Sequence, residues 1–536
     1  MAGGAAFASE APVARYQDVE NNTNPKWWKD PGLRMNIYHC AGLWATFYMN
    51  GYDGSLFNGQ TIDQWTAFFQ PNSTMLGLMN AAAFLPSPIA AFLADWIGHH
   101  LGRRYPVWIG SVLTLAGGLI NATSRNMGQY IAGRAFMGFG TSMTLTVGPT
   151  LCQEIAHPRY RAQVGSLYTC IYYIAAICSA FICFGTRFID SDYSWRIPCY
   201  FQILGPIAAL LMTFNMPESP RWLWKKGKID EATRILGKYH ANGDENDPLV
   251  QLECEEIKQA LEDEEANSQT RYMDYFKTPG NRRRLFVVCI IAVGTNWVGN
   301  GIISYYLTPI LASVGITETI KASGINIGLQ FWNLGLSVWA ALSVDSLGRR
   351  PLWLLSTIGM MLSFCIVMAL SAEFAKTGSS AIGTATIPFL FIFFGFYDIA
   401  WTPLASMYPV EILPFNLRTK GQAIFIAVQT AAVALNTFAN PVALAALEWR
   451  YYGVYIGILA VLSVIIYFYF PETKNMTIEE ISVIFDTGRT GNAQVATARL
   501  RRAAQTDANA EVRSIREDYG GKNDSDANTP IESLPN

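Results

Sequence analysis

Charge is scarce in this chain. Asp, Glu, Lys and Arg make up 15% of its 536 residues, against about 25% in soluble domains. What charge there is gathers in tails and short connections, which excludes an ordinary soluble helical protein. Nine cysteines do not form a disulfide framework. Eight of them lie in or beside apolar stretches, and Cys254 lies in a hydrophilic one, so they read as small apolar core groups. The first 35 residues lack the apolar run of a cleavable signal peptide, which leaves the first apolar helix to direct insertion. Neither a glycine-rich phosphate loop nor a paired nucleophile and base is present. ATP-driven work and catalysis therefore have no support, and no cofactor, metal or nucleic acid is called for.

Apolar sequence fills the space that charge leaves. Stretches around 36–56, 75–94, 106–122, 128–152, 164–185, 198–216, 285–307, 324–344, 352–372, 387–410, 421–445 and 452–470 are almost free of charge. Most are long enough to cross a bilayer. They fall into two groups of six, 36–216 and 285–470. A tail (1–35) carrying the anchor-like Trp27-Trp28-Lys29 precedes them. A hydrophilic stretch (217–284) with two short amphipathic helices separates them, and a polar tail (471–536), most of it expected to be disordered, follows.

A short phrase occurs once in each group: Asp95 then Leu101-Gly102-Arg103-Arg104, and Asp345 then Leu347-Gly348-Arg349-Arg350. Such repetition indicates a duplicated membrane unit. Arg103, Arg104, Arg159, Arg161, Arg349, Arg350, Arg418 and Lys420 all fall on one side of the twelve-helix arrangement. The positive-inside rule makes that side cytoplasmic, together with both termini. Glu154 with Arg161 parallels Glu411 with Arg418, and Asp95 with Arg103 and Arg104 parallels Asp345 with Arg349 and Arg350. These charges read as an inner-face network that breaks when the bundles rock.

Two opposite charges sit inside apolar helices. Asp53 lies in the outer half of the first helix and Arg134 in the fourth. A carboxylate at bilayer depth costs about 2.5–3.5 kcal/mol, so the two are expected to pair. The guanidinium favours the ionised carboxylate, and separation favours proton uptake, which makes the pair a proton switch. Asp398, a third intramembrane charge, reads as a local hydrogen-bonding group, with a second coupling group as the alternative. Of two glycosylation sequons, Asn72-Ser73-Thr74 is the candidate, because Asn121-Ala122-Thr123 lies too close to the bilayer.

Together these residues resemble the sugar porter family of the major facilitator superfamily. The phrases that carry the likeness are Pro217-Glu218-Ser219-Pro220-Arg221-Trp222-Leu223, Pro471-Glu472-Thr473-Lys474, Trp195-Arg196-Ile197-Pro198 and the doubled Gly-Arg-Arg. Gly299-Asn300-Gly301 and Tyr397-Asp398-Ile399-Ala400-Trp401 resemble the fungal lactose and hexose permease branch.

The resemblance implies an all-α integral membrane fold of twelve transmembrane helices in two pseudo-symmetric bundles. It implies Asp53 and Arg134 as the proton-coupling pair, and Tyr305 and Tyr306 as a gate on a broken seventh helix. Glu218 and Arg221 join the inner charge network. Asn296, Asn300, Asn333, Gln429 and Thr169 become sugar ligands, with Trp401 packing on the sugar ring. Amides both donate and accept, which suits a neutral polyol. Thr169, Asn296 and Ser406 are smaller than the family's usual residues and leave room for a disaccharide.

The expectation is a monomeric plasma-membrane sugar:proton symporter, with sugar, proton and lipid bilayer as its partners. An uncoupled facilitator, an exporter of a secondary metabolite and a non-transporting sensor are the alternatives.

Overall fold

The computed structural model describes residues 21–24, 26–60, 63–266, 272–313, 315, 318–473, 481 and 484–485. Helices account for nearly all of them. The first six rods are α1 (Pro31–Gln60), α2 (Ser73–Ala81 and Ser87–His100), α3 (Arg104–Ala122), α4 (Met127–Ile155), α5 (Arg161–Thr186) and α6 (Tyr193–Phe201 and Leu204–Thr213). The second six are α7 (Pro279–Trp297 and Asn300–Ser313), α8 (Thr319–Leu347), α9 (Arg349–Thr377), α10 (Ser380–Ala400 and Leu404–Ile412), α11 (Phe415–Leu447) and α12 (Tyr451–Tyr469). Among the described residues six stretches are apolar and long enough to cross a membrane, the last of them holding both α11 and α12. Elsewhere polar and small residues interrupt the apolar runs.

Local chemistry sets the helix ends. The Asn126 side chain accepts from the Gln129 amide to start α4, and Thr278 accepts from the Asn281 amide to start α7, with Pro279 at its first position. Each cap satisfies a backbone donor that a helix start leaves open. Small residues set the spacing of α3 and α4. A Cβ on Gly110 would lie 2.5 Å from the Gly140 carbonyl oxygen, and one on Gly117 would lie 2.7 Å from that of Gly133. This backbone-to-backbone packing is typical of membrane helices. It fixes the turn of α4 that carries Arg134.

Both halves use the same pairings. Helix α1 packs on α5 as α7 does on α11, α3 on α4 as α9 on α10, and α6 on α3 as α12 on α9. Three helix pairs join the halves: α2 against α11, α5 against α8, and α1 against the second segment of α7. Helix α7 breaks at Val298–Gly299, where Gly299 has φ +103°, and Tyr306 further along has non-helical angles of −132° and 28°.

One boundary differs from the sequence reading. Helix α1 begins at Pro31 rather than 36, and the residues before it are docked. The Asn22 amide donates to Asp247, the Asn21 side chain to the His240 carbonyl, and Asn242 to the Asn22 carbonyl. Three asparagines thus tie the segment to helices Ile229–His240 and Pro248–Ala266. Those helices hydrogen-bond to the first half: His240 lies 3.1 Å from the Ile155 carbonyl, and Arg161 pairs with Glu253 at 3.3 Å. The second half is reached later in the stretch, where Tyr275 donates to the Leu417 carbonyl at 2.7 Å.

Candidate functional site

Calling the Arg-Arg side the basic end, the opposite side is the far end. In the far half Asp53 and Arg134 meet at 2.7 Å. Arg134 is 1% exposed, and its guanidinium stands 5.2 Å over the Phe57 ring. Gln202 from α6 donates to the same Asp53 oxygen at 2.7 Å. On its other side Arg134 donates to the Asn80 carbonyl oxygen at 3.3 Å, and the Asn80 amide donates to the Tyr306 hydroxyl at 3.1 Å. Tyr306 then donates to the Thr437 carbonyl at 2.8 Å. A continuous polar path therefore runs from α1 through α4 and α2 into α7 and α11 of the other half. Asn80 and Gln202 escaped the sequence reading, because neutral amides in membrane helices are too common to mark a site.

Around that path the two halves close on each other. A Cβ on Gly77 of α2 would lie 2.5 Å from the Phe438 carbonyl oxygen of α11. Phe57 packs edge-on against Tyr306, and Phe84 against Tyr305. The two tyrosines expected at a gate are therefore both at the inter-half contact.

At the midplane Asn296 donates to the Thr295 hydroxyl and the Gln429 carbonyl, each at 3.3 Å. Gln429 donates to the same Thr295 hydroxyl at 3.4 Å, and Tyr397 to the Thr295 carbonyl at 3.3 Å. Asn300 opens the second segment of α7 beside the Tyr397 hydroxyl. Asn333, with its amide nitrogen turned inward, donates to Asp398 at 3.2 Å. Three helices of the second half thus bring four of the expected amides to one level.

Trp401 corrects the sequence reading. It is 1% exposed, crosses Trp353 edge-on at 4.7 Å and donates to the Thr357 hydroxyl. A Cβ on Gly294 would lie 2.4 Å from its ring. It is a core side chain of the second half, unavailable to stack on a ligand here. The side chain of Thr169 lies outside the described residues, as do those of Asp345, Ser406 and Arg418.

The basic end carries a matched pair of latches. Glu218 accepts from the Arg103 amide at 2.9 Å and the Arg104 amide at 3.4 Å. Glu472 accepts from the Arg349 amide at 2.9 Å and the Arg350 amide at 3.0 Å. Each carboxylate therefore covers the N-terminus of α3 or α9, where a negative charge is favoured. Gly102 (φ +124°) and Gly348 (φ +91°) deliver the chain to those termini in a conformation other residues resist. Arg103 binds Glu154, and Arg349 binds Glu411 at 3.0 Å. Ser219 donates to Glu154 and Thr473 to Glu411, both at 2.5 Å. Arg104 and Arg350 reach the Met216 and Tyr467 carbonyls.

This wiring replaces two expected pairings. Arg161 binds Glu253 instead of Glu154, and Asp95 is exposed while Arg103 and Arg104 pair with Glu154 and Glu218. Burial pushes the Glu218 carboxyl above the usual glutamate range, against the amides of Ser219, Arg104 and Arg103. Arg221 follows Pro220 in the short helix that Ser219 caps. Asn72 is exposed and caps α2 through its side-chain oxygen, whereas Asn121 is buried and donates to the Met137 sulfur.

Comparison with known proteins follows this geometry. Residues 40–485 match the family model described as "Sugar (and other) transporter". The chain is similar to the MFS-type transporter criB of Aspergillus cristatus, 28% identical over 457 residues, covering 83% of this chain and 92% of that protein. It is similar also to high-affinity glucose transporter 1 of Candida albicans, 26% identical over 493 residues, covering 85% and 89%. In structure it is similar to the inward-open xylose transporter XylE of E. coli, with a TM-score of 0.69 and 20% identity over 84% of this chain and 99% of that one.

Proposed function

The chain belongs to the sugar (and other) transporter family of the major facilitator superfamily, and from that premise we propose that it moves a neutral sugar across the plasma membrane together with a proton. It is a multi-pass membrane transporter and not an enzyme. The observation that carries the coupling is Asp53. It is an acid of the far half whose one described cation, Arg134, is tied through Asn80 to the gate residue Tyr306.

The physical sequence follows from those bonds. With Asp53 ionised, the ion pair and the Gln202 bond hold α1, α4 and α6 together. A proton on Asp53 removes half of the ion pair. Arg134 is then a buried cation that must strengthen its remaining bonds or move, and its neighbour Asn80 holds the gate. A hydroxyl-rich solute at the Asn296, Asn333 and Gln429 level bridges the halves and completes closure. Alternating access then exposes proton and sugar to the basic end, which the distribution of arginines assigns to the cytoplasm. Each charge carried is worth about 2.3 kcal/mol per 100 mV.

The Candida relative's glucose and the E. coli protein's xylose make a hexose, a pentose or a disaccharide the first cargo to test. The deciding experiment reconstitutes the full chain and measures counterflow of radiolabelled D-glucose, D-xylose and lactose. For the sugar carried, Asp53→Asn abolishes uphill accumulation and leaves exchange. Accumulation that survives this change would move the coupling to another group, and uptake indifferent to collapse of the proton gradient would make the protein a facilitator.

A further inference from the structure

Asp398 lies at the middle of α10, 1% exposed, with every described hydrogen-bond partner neutral. Thr402, one turn on, donates to its Oδ1 at 2.8 Å. Tyr173 donates to the same oxygen at 3.2 Å, and Tyr173 belongs to α5 of the other half. Asn333 of α8 supplies the third contact, to Oδ2.

Among the described residues the remaining surroundings are also uncharged. The titratable groups nearest Asp398 are the phenols of Tyr172 and Tyr173 on α5 and Tyr397 beside it on α10. From α9 the facing groups are Ser356 and Thr357, which bond to the Phe396 carbonyl and to Trp401. From α7 the Thr295 carbonyl takes the Tyr397 hydroxyl. The contrast with Asp53 is chemical: Asp53 has a guanidinium at 2.7 Å.

An ionised carboxylate buried without a counter-ion is costly, and such groups take up a proton instead. The cage around Asp398 suits either form. Tyr and Thr hydroxyls can donate to a carboxylate or accept from a carboxylic acid by rotating one hydrogen, which a guanidinium cannot do. One of those hydroxyls also sits on the opposite half, so it leaves when the halves part.

We propose that Asp398 is a second proton-binding site, protonated while α5 and α10 are closed over it and ionised once Tyr173 withdraws and water enters. The step is simple acid–base exchange. The carboxylic O–H breaks, its proton passes to water in the opened cleft, and the carboxylate takes water as donor in place of the phenol. Closing the midplane then requires the proton back, so occlusion at this level becomes conditional on H⁺. The inference rests on the transport reading for its purpose but not for its test.

The test is infrared difference spectroscopy of the full chain in lipid vesicles during pH steps, with ¹³C-labelled aspartate to mark the carboxyl bands. The native chain shows a buried aspartic C=O band that Asp398→Asn removes and Asp53→Asn leaves in place. Tyr173→Phe, which deletes only the inter-half hydroxyl, moves that band to higher wavenumber, as loss of a hydrogen bond requires. If Asp398→Asn leaves the spectra unchanged, the group does not titrate and the proposal fails. Should that variant not fold, an unmoved band in Tyr173→Phe overturns it equally. Transport that ignores the proton gradient would sink the symport reading while leaving this spectral result intact.

Discussion

Asn80 holds Arg134 with one end of its amide and Tyr306 with the other. Its carbonyl oxygen accepts from the guanidinium at 3.3 Å, and its nitrogen donates to the phenol at 3.1 Å. The amide on α2 thus touches both the charged pair of the first half and Tyr306 of the second. Asn80→Ala leaves a buried guanidinium and a buried phenol each short of a partner, at about 1–3 kcal/mol. The far-end contact should loosen while Asp53 and Arg134 stay paired. An introduced cysteine at Thr437 should then react faster with a membrane-impermeant thiol reagent than in the parent chain. Unchanged reactivity would show that Asn80 merely fills space.

The latches at the basic end make a symmetric prediction. Glu218→Gln and Glu472→Gln each place an amide NH₂ against backbone N–H groups that the carboxylate now accepts, at Arg103 and Arg104 or at Arg349 and Arg350. Each should cost about 1–3 kcal/mol of whichever state holds the latch. Both variants should slow transport by similar factors and fold to similar yield. A large effect from one alone would mean that the two halves are not equivalent in the cycle.

How much of this was legible beforehand depended on how rare each signal is. A carboxylate or guanidinium in an apolar run is expensive enough to stand out, so Asp53 and Arg134 were visible, as was the doubled Gly-Arg-Arg. Glu472 stood in a motif, but its equivalence to Glu218 required seeing two helix N-termini capped alike. Trp401 misled because an aromatic in a membrane helix can face the core or the cavity at equal cost, and only the space left by Gly294 decides. The two expected acid–arginine pairs failed because adjacency along a helix end does not say which neighbouring helix supplies the partner. Glu154 is reached from α3 rather than from its own connection. The docked segment before α1 was missed because a run of asparagines looks like solvent-exposed chain until their partners are in place.

That segment responds to pH through His157. Its ring is 2% exposed, packs 5.1 Å from the His240 ring and contacts the Asn21 amide at 3.4 Å. Burial, with His240, Arg159 and Arg161 adding to it, pushes the His157 imidazole far below the ordinary histidine range. A depressed histidine is held neutral by the folded state, so its contribution is whole above the unfolded value near 6.5 and shrinks as pH falls below it. The slope is about 1.4 kcal/mol per pH unit. The protection factors of the amides in residues 21–35, intrinsic rates divided by observed exchange rates at each pH, should fall between pH 6.5 and 5.5, and His157→Gln should flatten that response. Equal acid sensitivity in the variant would assign the effect to another group.

Helix α2 turns between Ala81 and Ser87 over Gly138 of α4, where an added Cβ would fall 1.7 Å from the Ala83 carbonyl oxygen. The obstacle is backbone, so no side-chain rotation relieves it. Gly138→Ala should destabilise the first half by about 3 kcal/mol or more and lower its thermal midpoint in detergent. Gly457→Ala on α12, where nothing lies within 4 Å of the new Cβ, should have little effect. If both glycines tolerate alanine equally, α2 and α4 are not in the contact described.

On the proposed function, Asn296 and Gln429 recognise the solute. Both amides are partly exposed and spend their donors on one another's neighbourhood, the Thr295 hydroxyl and the Gln429 carbonyl, at 3.3–3.4 Å. Bonds of that length are long for N–H···O and are readily exchanged for a sugar hydroxyl. Replacing either residue by alanine should therefore raise KM by about 10- to 100-fold, equivalent to about 1.4–2.7 kcal/mol, with little change in kcat, because the contact is made in bound and translocating states alike. If they bind one solute jointly, the double variant should lose less than the sum of the two, since each amide alone leaves the other's hydroxyl partner displaced. Strict additivity would place them on different hydroxyls. An unchanged KM with lowered thermal stability would make the pair a strut between α7 and α11, with recognition falling to Asn333 and the groups around Asp398.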